Sequence, residues 1–214
     1  MASWKRWIGV VLSVGMLSEV VYYIYKKIKR KTQEKKNVFQ EVLFFPDKAI
    51  PCKAFFQARN GCQVTNCHFA HYETGLGKLL GYIQKAERTI DVCVFCISCH
   101  ELADAVIQAH KRDVVVRVIT DNEQMGVTGS QIGKFRNKGI QVRHDYSSFL
   151  MHHKFVIIDG ALLISGSFNW TRCAVTGNHE NIIITSDSNL VTPFKEEFER
   201  LWELFEPAKY LNVV

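Results

Sequence analysis

The chain has 214 residues, of which 47% are hydrophobic and 22% are charged. These proportions exclude a disordered polypeptide, and the length suits one α/β domain with a sizeable core behind an N-terminal segment. The formal net charge of +6 does not by itself indicate a nucleic-acid-binding protein, because residues 1–36 carry nine basic against two acidic residues and the remainder carries eighteen against nineteen.

An apolar stretch near the N-terminus predicts a membrane anchor. Residues 7–25 are largely apolar with aromatic ends, which is about the length of one helix that crosses a bilayer. A short tail at residues 1–6 precedes the anchor, and a basic linker follows at residues 26–40. No small-residue cleavage site is evident, so we expect an uncleaved anchor. The heavier basic flank lies on its C-terminal side, so by the positive-inside rule we expect the following domain in the cytosol. An amphipathic surface helix is the alternative.

A cluster of cysteines and histidine lies in a loop-like region at residues 49–73. Its spacing is C-x(9)-C-x(4)-C-x(3)-H, from Cys52 through Cys62 and Cys67 to His71. Three thiolates and one imidazole make a closed tetrahedral Zn²⁺ site, and a cytosolic chain keeps its cysteines reduced. The spacing resembles CCCH zinc fingers, which often bind RNA. The alternatives are a loop staple or a degenerate finger without metal.

A second cysteine cluster, formed by Cys93, Cys96 and Cys99, predicts packing and not metal binding. It falls in a strand-like run from Thr89 to Ile97, where side chains three positions apart face opposite ways. We therefore expect these thiols to behave as small buried hydrophobic groups.

Strands and helices alternate through the rest of the chain. Hydrophobic periodicity predicts helices at residues 73–88, 101–112, 129–138 and 188–205, and strands at residues 90–97, 114–120, 140–143, 154–159, 162–164 and 182–184. This alternation predicts an α/β fold in which a mixed β-sheet is sandwiched between helices. The domain is expected to span residues 41–214.

One run of the sequence carries most of the candidate chemistry. Its pattern is H-x-K-x(4)-D-x(6)-G-S-x-N, formed by His152, Lys154, Asp159, Gly166, Ser167 and Asn169. Side chains two apart on a strand share a face, so His152 and Lys154 project together. Neutral His can attack a phosphate while Lys neutralises the charge on its oxygens. Ser167 and Asn169 would supply further donors, and Gly166 would let the backbone approach the anion.

Glu180 and Asp159 take different places in the predicted site. Glu180 follows the motif, at the position where the phospholipase D superfamily, which this pattern resembles, has a Glu. The resemblance implies that Glu180 accepts a hydrogen bond from one ring nitrogen of His152, which fixes the tautomer. Asp159 lies on the opposite strand face together with His153, so it is better suited to holding local backbone than to touching His152. An ordinary buried strand is the alternative for the whole run, although a buried Lys is costly unless it is paired.

The pattern resembles the HKD signature of the phospholipase D superfamily of phosphodiesterases. The resemblance implies a catalytic set of His152, Lys154, Asp159, Asn169 and Glu180, with Lys154, Ser167 and Asn169 on the substrate phosphate and with no catalytic metal. In-line displacement needs a nucleophile on one side of phosphorus and an acid on the other, so one motif is incomplete.

Single-motif members of this superfamily look like homodimers. A two-fold axis through the site would place one copy of His152 on each side of the phosphate. One copy would form a phosphohistidine while the other protonates the leaving oxygen. A monomer that uses His144 or His179 as the acid is the alternative.

The anchor, the CCCH-like insert and the single motif together resemble mitochondrial members of the superfamily. The resemblance implies a homodimer on the mitochondrial outer membrane that faces the cytosol, with a structural Zn²⁺. It also implies two activities: cleavage of single-stranded piRNA precursors, alongside piRNA-pathway proteins, and hydrolysis of cardiolipin to phosphatidic acid. The insert and a positive patch at residues 111–172 favour the endoribonuclease. Cardiolipin is the alternative substrate, and a non-catalytic membrane scaffold is a second alternative.

Overall fold

The computed structural model describes residues 19–29 and 38–210, and the chain divides into two units at residue 38. In the first unit, residues 19–29 are helical (α1). The predicted tail at residues 1–6, residues 7–18 of the predicted anchor and residues 30–37 of the basic linker lie outside the described residues. Within the part of the chain that is described, no helix has both the length and the apolar character needed to cross a bilayer.

Residues 38–210 are built on one mixed sheet of seven strands. The strands are β1 (Gln40–Phe45), β2 (Thr89–Val94), β3 (Val115–Thr120), β4 (Gln141–His144), β5 (Lys154–Ile158), β6 (Leu162–Gly166) and β7 (Glu180–Thr185). Their order across the sheet is β1-β7-β6-β5-β2-β3-β4. The three strands β2, β3 and β4 run parallel, whereas every other neighbouring pair is antiparallel.

Helices cover both faces of this sheet. The α-helices of residues 38–210 are α2 (Lys53–Gln57), α3 (Gly75–Gln84), α4 (His100–His110), α5 (Ile132–Asn137), α6 (Arg172–Thr176) and α7 (Ser188–Leu204). Helices α3 to α6 add buried side chains to the larger core on one face, and α7 covers the other face with Phe198, Leu201 and Trp202. The predicted sandwich of a mixed sheet between helices is confirmed.

Arg117 on β3 connects α7 to the sheet through hydrogen bonds. Its guanidinium donates to Asp91 on β2 and to Glu199 on α7, and it lies over the rings of Phe198 and Trp202. Burial opposes the positive charge, but the two carboxylates outweigh burial and raise the pKa of Arg117. A buried charge is stable only when it is paired, so this network fixes the position of the helix.

Two strands differ from the sequence prediction. The sequence predicts no strand at residues 40–45, but β1 pairs with β7 along its whole length, with Val42 opposite Ile183. The predicted strand at residues 90–97 is shorter, because β2 ends at Val94 and Ile97 instead bridges to Trp170. Both differences come from pairing between segments that are distant in the sequence, which local periodicity does not encode.

Candidate active site

The predicted motif residues converge at one edge of the sheet. Strand β5 runs antiparallel to β2 and β6, and β7 runs antiparallel to β6, so β2 and β6 end where β5 and β7 begin. His152 and Lys154 stand at the start of β5, Asn169 follows β6, and Glu180 opens β7. The strand topology therefore gathers groups that are distant in the sequence.

Phe95 packs against both His152 and Lys154. The His152 ring meets the Phe95 ring edge-on with 4.7 Å between centroids, and the Lys154 ammonium lies 5.1 Å from the centroid of the same ring. Lys154 also donates to the backbone oxygen of His152 at 2.7 Å. His153 instead turns toward Glu197 on α7. His152 and Lys154 thus share one side of the strand, as its period of two predicts.

The ammonium of Lys154 is partly buried. Burial lowers the pKa of Lys154, whereas the nearby Glu180 carboxylate and the Cys96 thiol oppose that shift. A cation with little water around it attracts an anion more strongly than an exposed one. Lys154 is therefore placed to neutralise the oxygens of a phosphate at this edge.

Glu180 does not make the predicted hydrogen bond with His152. Among the described residues, its carboxylate accepts from the Ser167 hydroxyl and from the Asn178 amide, the latter at 3.0 Å. Ser167 in turn accepts from the backbone amide of Asn181 at 3.1 Å. The pairing of β6 with β7 brings Ser167 beside Glu180. The carboxylate consequently organises the end of β6 in this structure.

Asn169 presents a polar atom that the surrounding protein leaves unused. Its side-chain oxygen is buried and has no hydrogen-bond partner among the described residues. A buried acceptor without a donor is costly. Rotating the amide by half a turn would point its two N–H donors into the same place, where a phosphate oxygen can accept. The predicted role of Asn169 as a phosphate ligand is compatible with this position.

Gly166 is required for close strand pairing, and the predicted approach of an anion at this glycine stays a prediction. A Cβ atom at this position would lie 2.0 Å from the carbonyl oxygen of Asn181 on β7. Any side chain would therefore separate β6 from β7 at the point where Gly166 pairs with Ile182. The glycine is needed for close strand pairing, and the approach of an anion is not required to explain it.

Asp159 lies at the opposite end of β5 from His152. Its carboxylate accepts from the backbone amides of Glu87, Arg88 and Thr89, at 3.1, 2.6 and 2.9 Å. Burial opposes the ionised form, but these amides outweigh burial and hold the pKa of Asp159 below its usual value. The residue fixes the entry to β2 and is not brought together with the other members of the catalytic set.

A cavity of about 660 Å³ opens beside His152. One wall is the segment at residues 145–151, and the other is the C-terminal part of α7 together with the residues that follow it. The apolar and aromatic lining side chains are Tyr146, Phe149, Leu150, Met151, Leu201, Leu204, Phe205 and Tyr210. The sequence contains no signal for this cavity, because its two walls are distant in the sequence and neither carries a motif.

The predicted metal ligands also come together. The ligand atoms of Cys52, Cys62, Cys67 and His71 all lie within 4.8 Å of one another. The sulfurs of Cys52 and Cys67 are 3.8 Å apart, which matches two thiolates at about 2.3 Å from one tetrahedral Zn²⁺. Burial opposes ionisation of Cys52, but hydrogen bonds from the Phe55 backbone and from the other three ligands lower the pKa of this thiol to about 7. The four residues fit a zinc ion.

The second cysteine cluster does not form a comparable group. Cys93 and Cys99 are buried, and the Cys93 sulfur lies 3.5 Å from the sulfur of Met151. Burial raises the pKa of the Cys99 thiol to about 12. The prediction of packed thiols is confirmed for these two residues, whereas Cys96 is only partly buried.

The chain has extensive similarity to known proteins. Residues 79–202 match the family model described as "Cardiolipin synthase, PLD-like domain". The chain is 40% identical over 210 residues to the mitochondrial cardiolipin hydrolase of Xenopus tropicalis, which covers 98% of this chain and 96% of that protein. It is 46% identical over 166 residues to the protein of the same name from Chlamydomonas reinhardtii, which covers 78% of this chain and 74% of that protein.

The fold also resembles that of a solved structure. Nuc from Salmonella typhimurium, a phospholipase D family member, matches with a TM-score of 0.62 and 23% identity. The match covers 78% of this chain and 95% of that chain. At this identity the likeness concerns the fold alone.

Proposed function

We propose, from the premise that this chain belongs to the phospholipase D-like family and is a relative of the mitochondrial cardiolipin hydrolases, that it cleaves cardiolipin to phosphatidic acid. Membership of the family makes the chain a phosphodiester hydrolase. The observation that carries the choice of substrate is the largely apolar cavity beside His152. A diacyl lipid needs an apolar mouth next to the nucleophile, whereas single-stranded RNA needs stacking platforms and a basic groove.

The segment ahead of the motif suits an enzyme that works at a lipid surface. Phe149 is 83% exposed and Leu150 is 55% exposed, although both line the cavity. The Ser147 hydroxyl donates to the carbonyl oxygen of Phe149 and accepts from its amide, so the turn is held in shape. Large apolar side chains that are presented to solvent beside a cavity mark a contact with an apolar partner. Here that partner is the acyl region of the membrane.

His152 is the proposed nucleophile. One ring nitrogen bonds to phosphorus as the bond from phosphorus to the oxygen of the bridging glycerol breaks. That oxygen takes a proton from His152 of the partner subunit, and phosphatidylglycerol leaves. The partner's His152 then removes a proton from water, the resulting hydroxide attacks phosphorus, and the phosphorus–nitrogen bond breaks. This releases phosphatidic acid and restores both rings. Lys154 and the N–H donors of Asn169 stabilise the charge on the non-bridging oxygens.

A second copy of the chain is needed because one motif supplies one such pair. A homodimer adds a second His152 and Lys154 by symmetry. His144, an alternative acid, has its ring engaged by the carbonyl oxygen of Asp145 at 2.7 Å and by the ring of Tyr146. The shared site therefore remains the simpler arrangement.

An uncovered apolar face supports the proposed dimer. Val42, Phe44 and Ile183 are 51%, 74% and 47% exposed on the paired strands β1 and β7. Glu180 opens β7, so this face adjoins the edge where the motif residues meet. A partner subunit that completes the site would cover these side chains.

The reaction is tested with the purified protein, cardiolipin vesicles and single-stranded RNA in parallel. We expect wild type to release phosphatidic acid and His152→Asn to release none. RNA cleavage without lipid hydrolysis would contradict the proposed substrate, and a non-catalytic scaffold would give neither product.

The shared site is tested by mixing the same two proteins. When wild type and His152→Asn subunits exchange, activity per wild-type chain should fall in proportion to the wild-type fraction, because both rings are needed. A constant activity per wild-type chain would indicate a monomeric site.

A second candidate function is endonucleolytic cleavage of single-stranded piRNA precursors. The observation that favours it is a set of exposed aromatic side chains around the Cys/His cluster, Phe55, Phe56, Phe69 and Tyr72. Unpaired bases stack on such rings, which contributes about 1–3 kcal/mol per base. Cys52, Cys62, Cys67 and His71 would hold a structural Zn²⁺ that shapes this surface. Loss of RNA cleavage in Phe69→Ser, with cardiolipin hydrolysis unchanged, would support this second activity.

The proposed location is the mitochondrial outer membrane, with the catalytic unit on the cytosolic side. The names of the relatives support the organelle, and the apolar and basic composition of residues 7–40 supports the orientation. Protease treatment of intact mitochondria would remove the catalytic unit if this arrangement is correct.

A further inference from the structure

Asp145 contributes a buried acceptor to the wall of the cavity beside His152. The residue is 3% exposed and follows strand β4. One carboxylate oxygen, Oδ1, accepts from the backbone amide of Asn122 at 2.9 Å. The other, Oδ2, is buried and has no hydrogen-bond partner among the described residues. A buried carboxylate oxygen without a donor is costly, so the position suits a ligand that brings an O–H or N–H group.

The carboxylate of Asp121, by contrast, has a purely structural role. Asp121 follows β3 and is fully buried. Its Oδ1 accepts from the backbone amides of Glu123 and Gln124, and its Oδ2 accepts from that of Met151 at 3.1 Å. Both oxygens of Asp121 therefore serve the backbone, whereas Asp145 keeps one oxygen unused. Hydrogen bonding to the backbone therefore accounts for only one of the two carboxylate oxygens of Asp145.

We propose that Asp145 binds the free hydroxyl of the glycerol that bridges the two phosphates of cardiolipin. The inference rests on the proposed function. This hydroxyl sits on the carbon next to the one that carries the leaving oxygen, so it accompanies the scissile phosphate into the site. Asp145 and His152 line the same cavity, at opposite ends of one segment of its wall. A phosphate at His152 thus brings a hydroxyl donor into the cavity that Asp145 lines.

This contact makes Asp145 a specificity-determining residue. A site that is built to hydrogen-bond a hydroxyl rejects an analogue without one, because the buried acceptor is then left unpaired. A choline headgroup offers methyl groups and no O–H or N–H donor. A hydrogen bond to a charged acceptor changes binding by about tenfold to hundredfold. Cardiolipin should therefore be preferred over lipids whose headgroup lacks a donor.

The test removes the hydroxyl from the substrate and the acceptor from the protein. The substrates are cardiolipin and an analogue in which 1,3-propanediol replaces the bridging glycerol, both in vesicles of otherwise equal composition. We expect wild type to have a kcat/KM about tenfold lower for the analogue. Asp145→Asn keeps the size of the side chain and an oxygen for the amide of Asn122, so it should hydrolyse both substrates at similar rates.

A matched control uses another carboxylate that lines the cavity. Glu197 accepts hydrogen bonds from Arg200, so its oxygens are already engaged. Glu197→Gln should keep the wild-type discrimination between the two substrates. Thermal unfolding of each variant establishes that it is folded, and the wild-type comparison stands even if Asp145→Asn does not fold.

The outcomes separate this inference from the proposed function. Equal wild-type rates on both substrates, or full discrimination by Asp145→Asn, would overturn the role of Asp145 and leave cardiolipin hydrolysis standing. Absence of phosphatidic acid from either substrate would remove the proposed function and this role with it. A change in the base preference of RNA cleavage in Asp145→Asn, with lipid discrimination unchanged, would mean that the acceptor recognises a nucleobase amino group and would also overturn it.

Discussion

The catalytic edge and the Cys/His insert both gather reactive side chains, but different forces hold them together. The catalytic edge is the proposed site, formed by His152, Lys154, Ser167, Asn169 and Glu180, and the insert comprises residues 49–73. The edge rests largely on strands β5 and β6, which contribute buried side chains to the cores on both faces of the sheet. The insert contains one short helix with no buried residue.

The difference concerns what each region needs in order to fold. The side chains of the catalytic edge stand on strands with buried cores, so we expect the fold to tolerate their substitution. The insert has little apolar surface to bury, so we expect a metal ion held by its ligand cluster to supply the folding free energy that a core would otherwise provide. Activity and stability should therefore respond to substitution in opposite ways in the two regions.

The largest expected effect is the loss of activity in His152→Asn. The imidazole is the only proposed nucleophile in each subunit, so the rate of phosphatidic acid release should fall by at least about a thousandfold. The side chain is exposed, so the melting temperature should stay within about 2 °C of wild type. His153→Asn is the matched control, because this ring faces α7, and it should retain most activity. Unfolding of His152→Asn would break the contrast between the regions.

The insert should show the reverse pattern. Removing zinc with a chelator, or replacing Cys62 by Ser, should lower the melting temperature by about 5–10 °C, because the cluster no longer links the loop. Native mass spectrometry should show one metal ion in the untreated wild-type protein and none after chelation or in Cys62→Ser. Cys173→Ser changes an exposed thiol outside the cluster and should have no effect. An unchanged melting temperature after metal loss would mean that the insert folds without its ligands.

Phe149 tests whether the catalytic edge acts at a membrane. In Phe149→Ser, we expect about fivefold slower hydrolysis of cardiolipin in vesicles, because an apolar anchor is lost at the interface. Hydrolysis of a dispersed short-chain analogue should be unchanged. Leu190→Ser removes an exposed apolar side chain near the start of α7 and serves as the control. Equal loss on dispersed and vesicular substrate would assign Phe149 to the cavity itself.

Local sequence patterns predicted some features of both regions and missed others for a physical reason. Short spacing within one loop limits how far Cys62 and Cys67 can separate, so a common ligand site was predictable. The period of a strand was enough to place His152 and Lys154 on one side. Neither pattern contains the pairing of β6 with β7, which directs Glu180 to Ser167 instead of to His152. Strand β1 and the cavity were missed for the same reason, because both depend on contacts between distant segments.

The smallest expected effect concerns Asp159, which follows β5 at the end opposite His152 and holds the backbone. Backbone amides hold its pKa below the unfolded value, so the unfolded chain binds more protons in acid. Its contribution to stability is therefore present above about pH 4 and is lost as the pH falls through the lowered pKa. Asp159→Asn should cost about 1 kcal/mol at neutral pH, with a difference that shrinks on acidification.

Asn tolerates the φ of 55° at this position, so the backbone of the Asp159 variant need not change. The control is Asp113→Asn, at another positive φ of 66°, whose carboxylate accepts from no backbone amide among the described residues. Denaturant unfolding between pH 3 and pH 7 measures both variants. Activity per folded molecule should stay within about twofold of wild type, because the carboxylate acts on the entry to β2. Loss of activity with unchanged stability would mean that Asp159 takes part in the reaction. The residues at the two ends of β5 would then no longer differ in role, one end catalytic and the other structural.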